Sequence, residues 1–255
     1  MRIVIIGTGN TATVLGKLFI QAGHTIVQVL GRNQDNALGL SIIFGSSYTA
    51  DRTQLDLNAD LYVIAVSDNA IGSITSWLRV ERKLLVHTAA SVDKEILSSS
   101  SKNYGVLYPL QSLRKELASL PEIPFLVDGN TEDSGALIFD FAKSVSGNVQ
   151  FANDHQRRMT HIAAIMVSNF TNHLYTVAED LCKKENIRFG LLLPLITEVA
   201  NRIKDHSPAK LQTGPAIRND TNTIRNHISL LERFPRHQAI YECLTTSIQH
   251  LSEES

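Results

Sequence analysis

The chain has 255 residues and a mass of 28.2 kDa, enough for one large domain or one and a half ordinary ones. Hydrophobic residues make up 43% and charged residues 19%, which excludes a disordered tail or a collagen-like repeat. With 24 Lys plus Arg against 25 Asp plus Glu the net charge is -1, so there is no global field for gripping a nucleic-acid backbone and no nucleic-acid partner is expected.

Met1 to Gly7 is a continuous apolar, β-branched run around Arg2, the pattern of a strand covered on both faces at the centre of a parallel sheet. The run is far too short for the apolar core of a secretory signal, and the expected compartment is the reducing cytoplasm. Gly7, Thr8, Gly9, Asn10, Thr11 and Ala12 then spell a G-x-G-x-x-A fingerprint. Val14, Leu15, Leu18, Phe19 and Ala22 recur at helical spacing until Gly23, and Thr25 to Leu30 closes the unit as a second strand. In this order Gly7 lets the chain turn sharply, Gly9 lets the backbone approach a pyrophosphate, and Ala12 is small enough for the helix to pack close on the sheet. The pyrophosphate would sit at the positive end of the helix.

An Asp or Glu at the end of the second strand would accept hydrogen bonds from the adenosine ribose hydroxyls, but the residues here are Gly31, Arg32 and Asn33. The missing acid and the available guanidinium favour NADP over NAD and count against FAD or a methyl donor. The plainer reading of Arg32 is a solvated loop residue.

Further apolar runs continue the alternation at Leu61 to Val66, Leu84 to His87, Gly105 to Leu107, Phe125 to Val127 and Val149 to Phe151, with the serine run Ser98 to Ser101 read as a loop. Ligands of open α/β sheets bind beyond the carboxyl ends of the strands, which puts Val66, Ser67, Asp68, His87, Ala89 and Ser91 beside the cofactor. Ser67 and Asp68 serve equally well as helix caps, and His87 as a histidine hydrogen-bonded to backbone at a strand end.

From Asp154 onward the pattern is helical: one long helix to about Asn186, a second over Leu191 to His206 with Pro194 in its first turn, a third over Thr221 to Phe234 capped by Asp220, and a fourth after Pro235. Thr160 to Ala178 holds no charged residue and approaches a membrane span of about 20 residues in length. His161, Asn169, Asn172 and His173 would each need pairing in hydrocarbon, so it reads as a buried helix of a soluble protein and no membrane partner is expected. Cys182 and Cys243 read as buried small side chains, without the Cys-x-x-Cys spacing of a zinc or redox site. Seven of the nine histidines (155, 161, 173, 206, 227, 237 and 250) lie in this half, but no metal-ligand spacing occurs and no metal is expected.

Two clusters in this half carry candidate chemistry. At regular helical spacing His161, Ser168, Asn169 and Asn172 share one face, which either satisfies buried neighbours or lines a substrate pocket facing the nicotinamide. Between Leu211 and His227 stand Gly214, Pro215, Arg218, Asp220, Asn222 and Arg225; Arg218 is either the bidentate partner of a carboxylate or phosphate, or a surface arginine at a capped junction. Asn201 to Gln238 carries seven Lys plus Arg against three acids, which favours an anionic ligand.

Taken in order, G-x-G-N-x-A, Gly31-Arg32, His87-Thr-Ala-Ala-Ser91, Tyr108-Pro-Leu-Gln-Ser112 and Thr213-Gly-Pro-Ala-Ile-Arg218-Asn-Asp220 resemble a family of NADP oxidoreductases that join a Rossmann-like domain to a helical domain of unknown function. The likeness covers nearly the whole chain. More distantly the chain is similar to the group of pyrroline-5-carboxylate reductase, ketopantoate reductase and 6-phosphogluconate dehydrogenase, in which the active site lies between two domains. The resemblance implies a doubly wound Rossmann-like α/β domain followed by an all-α domain like the C-terminal part of 6-phosphogluconate dehydrogenase, with NADP as cofactor and a homodimer formed through the helices. The pattern change sets the expected division at 1–153 for the NADP-binding domain and 154–255 for the helical substrate and dimerisation domain. In the pyrroline-5-carboxylate reductases a Ser-Pro-Gly-Gly-Thr-Thr turn holds the substrate carboxylate, and the likeness carries that role to Thr213, Gly214, Arg218 and Asp220.

One departure matters. The hydroxyacid dehydrogenase branch has a Lys-x-x-x-Asn pair on the long helix, where this chain reads His161-Ile-Ala-Ala-Ile165. Without that lysine the proton has to come from His161, Tyr108 or Asp220, in that order of preference, with Asn169 orienting the reacting group. An imidazole titrating near pH 7 suits such a transfer. Two functions follow: an oxidoreductase moving a hydride to or from a C=O or C=N carbon of a small anionic metabolite, or a catalytically silent NADP(H) sensor signalling through a dimer contact. A deazaflavin-linked NADP reductase fits less well, because those proteins are similar in the first domain but lack a helical half of this size.

Overall fold

The computed structural model describes residues 1–116 and 121–253, and they divide into two compact units, Met1–Ser168 and Asn169–Ser255. In the first unit the strands β1 (Arg2–Ile6), β2 (Thr25–Leu30), β3 (Ser47–Thr49), β4 (Leu61–Ile64), β5 (Glu81–His87), β6 (Ser101–Pro109), β7 (Phe125–Gly129) and β8 (Val149–Phe151) form one sheet in the order β3-β2-β1-β4-β5-β6-β7-β8. All neighbours are parallel except β6 and β7. The first six positions have the doubly wound dinucleotide-binding order, whose direction reverses between β1 and β4.

The apolar run of β1 explains its central place. Ile3 and Ile5 pack into one core cluster with α1 (Asn10–Gln21), α2 (Gln34–Phe44) and α4 (Glu132–Val145), while Val4 and Ile6 pack into another with α3 (Asp68–Thr75). Alternate side chains thus bury on opposite faces of the sheet. The three-residue strand β3 was not legible as an apolar run, and Ser101 belongs to β6, so the serine run is a loop only up to Ser100. Ser101 Oγ donates to the carbonyls of Glu81 and Lys83, which fixes it at the strand's start.

The long helix is composite: α5 (Asp154–Ala164), a π-helical segment (Ile165–Phe170) and α6 (Thr171–Lys184). A π turn closes i→i+5 bonds and rotates every later position, so the single polar face expected from His161 through Ser168, Asn169 and Asn172 does not survive. The uncharged stretch is not buried within the chain either, for Met166, Val167 and Phe170 are 56%, 75% and 58% exposed. Its lack of charge marks an apolar face that this chain does not cover. The second unit adds α7 (Leu193–Arg202), α8 (Thr221–Leu231) and α9 (Pro235–Glu253). Pro194 falls in the first turn of α7, and Asp220 caps α8 by accepting from the Thr223 amide. Cys182 is buried but Cys243 is exposed, contrary to its expected burial. No helix among the described residues is long and apolar enough to cross a membrane.

Candidate functional site

A cavity of about 640 Å³ opens at the carboxyl ends of β1, β2 and β4, where the strand order reverses. It is lined by Gly7, Thr8, Gly9, Asn10 and Thr11 from the fingerprint, by Arg32, and by Val66, Ser67 and Asp68 after β4. Gly7 is obligatory: its φ is +131°, and a Cβ there would stand 2.1 Å from the Ala65 carbonyl oxygen. Gly9, at the N-cap of α1, has nothing within 4 Å of the place a Cβ would take and no side-chain cap, so the first turn of the helix faces the cavity with free backbone N–H groups. These features fit a dinucleotide pyrophosphate at Gly9 and a cationic subsite at Arg32.

Ala12, Asn33, His87, Ala89 and Ser91 fall outside that lining, whereas Ser67 and Asp68 within it open a helix. Ala12 is fully buried in the core, where its small side chain lets α1 approach the sheet. Asn33 caps α2, accepting from the Asn36 amide at 2.9 Å. Ser67 occupies the N-cap of α3 without a side-chain cap bond, and Asp68 opens the helix. His87 is fully buried at the end of β5, its Nδ1 accepting from the Ala89 amide at 3.2 Å. The proton of the neutral ring therefore sits on Nε2. Burial, reinforced by the nearby Arg157 charge, pushes this imidazole down to about 3, so His87 is neutral at physiological pH and does not act as an acid. Ser91 is exposed in the loop that follows.

At the carboxyl end of β6 the structure brings two proposed proton donors together. The Tyr108 hydroxyl lies 2.9 Å from Nδ1 of His161, with the rings edge to face at 86°. Burial raises the Tyr108 phenol above its ordinary value; the Arg157 charge opposes that shift and Asp68 adds to it. The phenol stays protonated at neutral pH, and the tautomer of His161 decides which of the two groups donates.

The residue that holds this corner was not singled out from the sequence. Arg157, one helical turn before His161, is fully buried. Its Nε donates to the Ala90 carbonyl at 3.0 Å, and its Nη2 donates to the Val92 carbonyl and to Asp154. Arg158 pairs with Asp93, and the Lys94 amide donates to Asp154, so the loop after β5 is stitched to the first turns of α5. The only advance signal was an Arg157-Arg158 pair near a helix start, in which a buried arginine is indistinguishable from a solvated one.

The other predicted residues belong to the second unit. Asn169 is exposed in the π segment. Thr213 and Arg218 are exposed, and Gly214 adopts φ +106°. Asp220 accepts from both the amide and the hydroxyl of Thr223, at 3.1 and 2.7 Å. Hydrogen bonding from Thr223 holds its carboxyl below the usual range, so it is an ionised cap and not a source of protons. Among the described residues no three His, Cys, Asp or Glu side chains gather as a metal site.

Two family models match the chain: "NADP oxidoreductase coenzyme F420-dependent" over residues 2–91, and a domain of unknown function, DUF2520, over residues 123–248. No curated protein matches it. A crystal structure from Bacteroides fragilis, of a protein designated an NADP oxidoreductase, is 37% identical with 98% of each chain covered and a TM-score of 0.87. The Aspergillus terreus reductive aminase in complex with NADPH and ethyl-5-oxohexanoate is 15% identical, covers 99% of this chain and 98% of its own, and has a TM-score of 0.71. The 1-pyrroline-5-carboxylate reductase of Streptococcus pyogenes is 14% identical with 98% of each chain covered and a TM-score of 0.66. The last two likenesses concern the fold.

Proposed function

The chain belongs to the NADP oxidoreductase family represented by the Bacteroides fragilis protein, with NADP as its cofactor, and from that premise we propose that it moves a hydride between NADP(H) and the carbonyl or imine carbon of a small anionic substrate. The observation that carries this reading is the hydrogen bond between Tyr108 and His161, a ready proton source within the unit that holds the glycine loop. NADPH supplies the hydride, and the reduced oxygen or nitrogen needs a proton. Tyr108 gives that proton to the substrate heteroatom, and His161, taking up a proton from solvent on its other ring nitrogen, returns one to the phenolate through Nδ1. Gly9 and the first turn of α1 hold the pyrophosphate, and Arg32 binds the 2′-phosphate. Arg218 binds the substrate anion with Thr213 and Gly214, and Asn169 orients the reacting group. Residues 1–153 bind the cofactor and 154–255 carry the substrate and dimer contacts.

A panel of 2-oxo acids, cyclic imino acids and their neutral esters, followed by NADPH consumption, tests the reading. The acids are expected to turn over and the esters to fail. His161→Ala and Tyr108→Phe should each slow turnover roughly 10²- to 10⁴-fold with NADPH affinity retained. Unchanged turnover in His161→Ala removes it from the chemistry.

The homodimer is supported by apolar side chains spaced along the second unit, where Leu191, Leu195, Val199 and Ile203 stand exposed. At four-residue intervals they form one stripe, and a stable dimer buries about 800 Å² on each partner. Sedimentation should give a dimer that Leu195→Asp converts to a folded monomer; a wild-type monomer at micromolar concentration would end the proposal.

A further inference from the structure

Arg52, a residue that composition and motif spacing pass over, lines the same cavity as the glycine loop and Arg32. Its position is set by strand pairing. β2 and β3 run parallel with Leu30 opposite Thr49, and the Gly31 amide donates to the Thr49 carbonyl at 3.1 Å. The two chains leave the sheet side by side, neighbouring strands being about 4.8 Å apart. Arg32 stands two residues beyond that pairing and Arg52 three. Gly31 also lies so close to Thr8 that a Cβ would meet its methyl group at 2.6 Å, which keeps this edge tight against the fingerprint.

The turn that carries Arg52 is built with care for an exposed segment. Buried Thr49 uses its hydroxyl twice, accepting from the Asp51 amide at 2.9 Å and donating to the Asp51 carbonyl at 3.1 Å. Asp51 turns its carboxylate back onto the Thr53 amide at 2.9 Å. Gln28, buried in the otherwise apolar β2, donates to the Gln54 carbonyl at 3.0 Å and accepts from the Asp56 amide at 2.8 Å. Two buried polar side chains and one carboxylate are thus committed to the backbone around Arg52. Among the described residues neither Arg32 nor Arg52 has a carboxylate within ion-pair reach.

We propose that Arg52 is the second arm of a clamp for the 2′-phosphate and sets the preference for NADP over NAD, an inference that builds on the reading of Arg32. Two guanidinium groups on adjacent strand ends repel each other until an anion stands between them. A phosphate monoester brings close to two negative charges and three acceptor oxygens, enough for a fork from each side, whereas the ribose hydroxyl of NAD brings neither. The pinned turn means that little freedom is lost when Arg52 engages.

The test is a binding titration, by quenching of Trp77 or by calorimetry, of NADPH, NADH, adenosine 2′,5′-bisphosphate and adenosine 5′-monophosphate. Wild type, Arg32→Ala, Arg52→Ala and Arg52→Lys are compared, with thermal melting to confirm folding; both arginines are exposed and the fold should hold. Arg52→Ala should weaken NADPH and the bisphosphate roughly ten- to one-hundred-fold, with NADH and the monophosphate unchanged within about twofold. Arg52→Lys should recover part of the loss, and raised salt should shrink the difference. If Arg52→Ala binds NADPH within about twofold of wild type, the proposal is overturned, whatever Arg32→Ala does. If Arg52→Ala loses the phosphate preference and Arg32→Ala keeps it, Arg52 stands and the role of Arg32 falls.

Discussion

The two units spend their apolar residues differently. In the first, the apolar clusters lie between Ile3 and Ala152 and cover both faces of the sheet, so strand ends and loops are held from beneath. In the second, among the described residues, the buried apolar positions include Cys182, Ala216 and Ile224, none of them fully enclosed, while leucines at 191, 193, 195 and 230 face outward. Apolar area left in water forfeits roughly 25 cal/mol per Å² of possible stabilisation. A closed core can aim side chains at a cofactor. An open one reserves its apolar area for something outside the chain. The contrast predicts that changes inside the first unit cost stability at once, and that changes in the second act locally.

The largest effect is expected at Arg157. Replacing it with Ala removes a buried cation from Asp154, Ala90 and Val92 and opens a void the size of its side chain. With Asp154 partly exposed and two carbonyls left without their donor, the loss is about 2–4 kcal/mol. Urea denaturation followed by Trp77, the chain's single tryptophan, reads this directly because Trp77 packs on the first unit's core. A loss below about 1 kcal/mol would show that the corner is held by backbone pairing and that the buried arginine is incidental.

His87 gives the next largest effect, and its sign follows from the shift. The unfolded imidazole titrates near 6.5, while the folded one is held down to about 3. Between those values the unfolded chain binds the extra proton, so stability rises with pH there and is lost as the solution is acidified. From pH 6.5 to pH 5 the loss from this group is about 2 kcal/mol. His87→Asn, which keeps an acceptor for the Ala89 amide, should flatten that part of the Trp77-detected stability curve. An unaltered slope would assign the acid sensitivity to other groups.

The difference between the units also decides what the sequence made legible. β1, the fingerprint and α1 could be read because each local signal agreed with its neighbours: a run buried on both faces, a glycine at positive φ, a helical stripe. β3 is three residues long, Ser47-Tyr48-Thr49, and too short to show a period. Arg157 and Arg52 look like solvated arginines in sequence; only the packing of segments up to 67 residues apart separates the buried one from the cavity-lining one. Tyr108 and His161 stood out separately, by resemblance and by the absence of a lysine, but their bond joins residues 53 apart and no spacing rule predicts it. The misreading of Thr160 to Ala178 is the most instructive. An uncharged stretch reports that a surface avoids water, without saying whether the same chain covers it. The π segment compounds the error, since a helical face projected at 3.6 residues per turn fails at the first wider turn.

The smallest effect, at Asp220, sharpens the contrast most. Its carboxylate caps α8 through Thr223, and an N-cap replaced by Ala loses that bond while the free amide returns to water. Asp220→Ala should lower the midpoint of helix melting by a few degrees, read by far-ultraviolet circular dichroism. Because the hydrogen bonds from Thr223 hold the carboxyl below its ordinary value, the capping contribution is present above the unfolded value near 4 and fades as pH falls through the folded one. The fluorescence of Trp77 supplies the control, since it lies in the other unit. If the units melt separately, the dichroism midpoint moves and the Trp77 midpoint stays. If both move together, the open core of the helical unit and the closed core of the sheet unit fold as one cooperative body, and the exposed leucines cannot be treated as the reserve of an independent module.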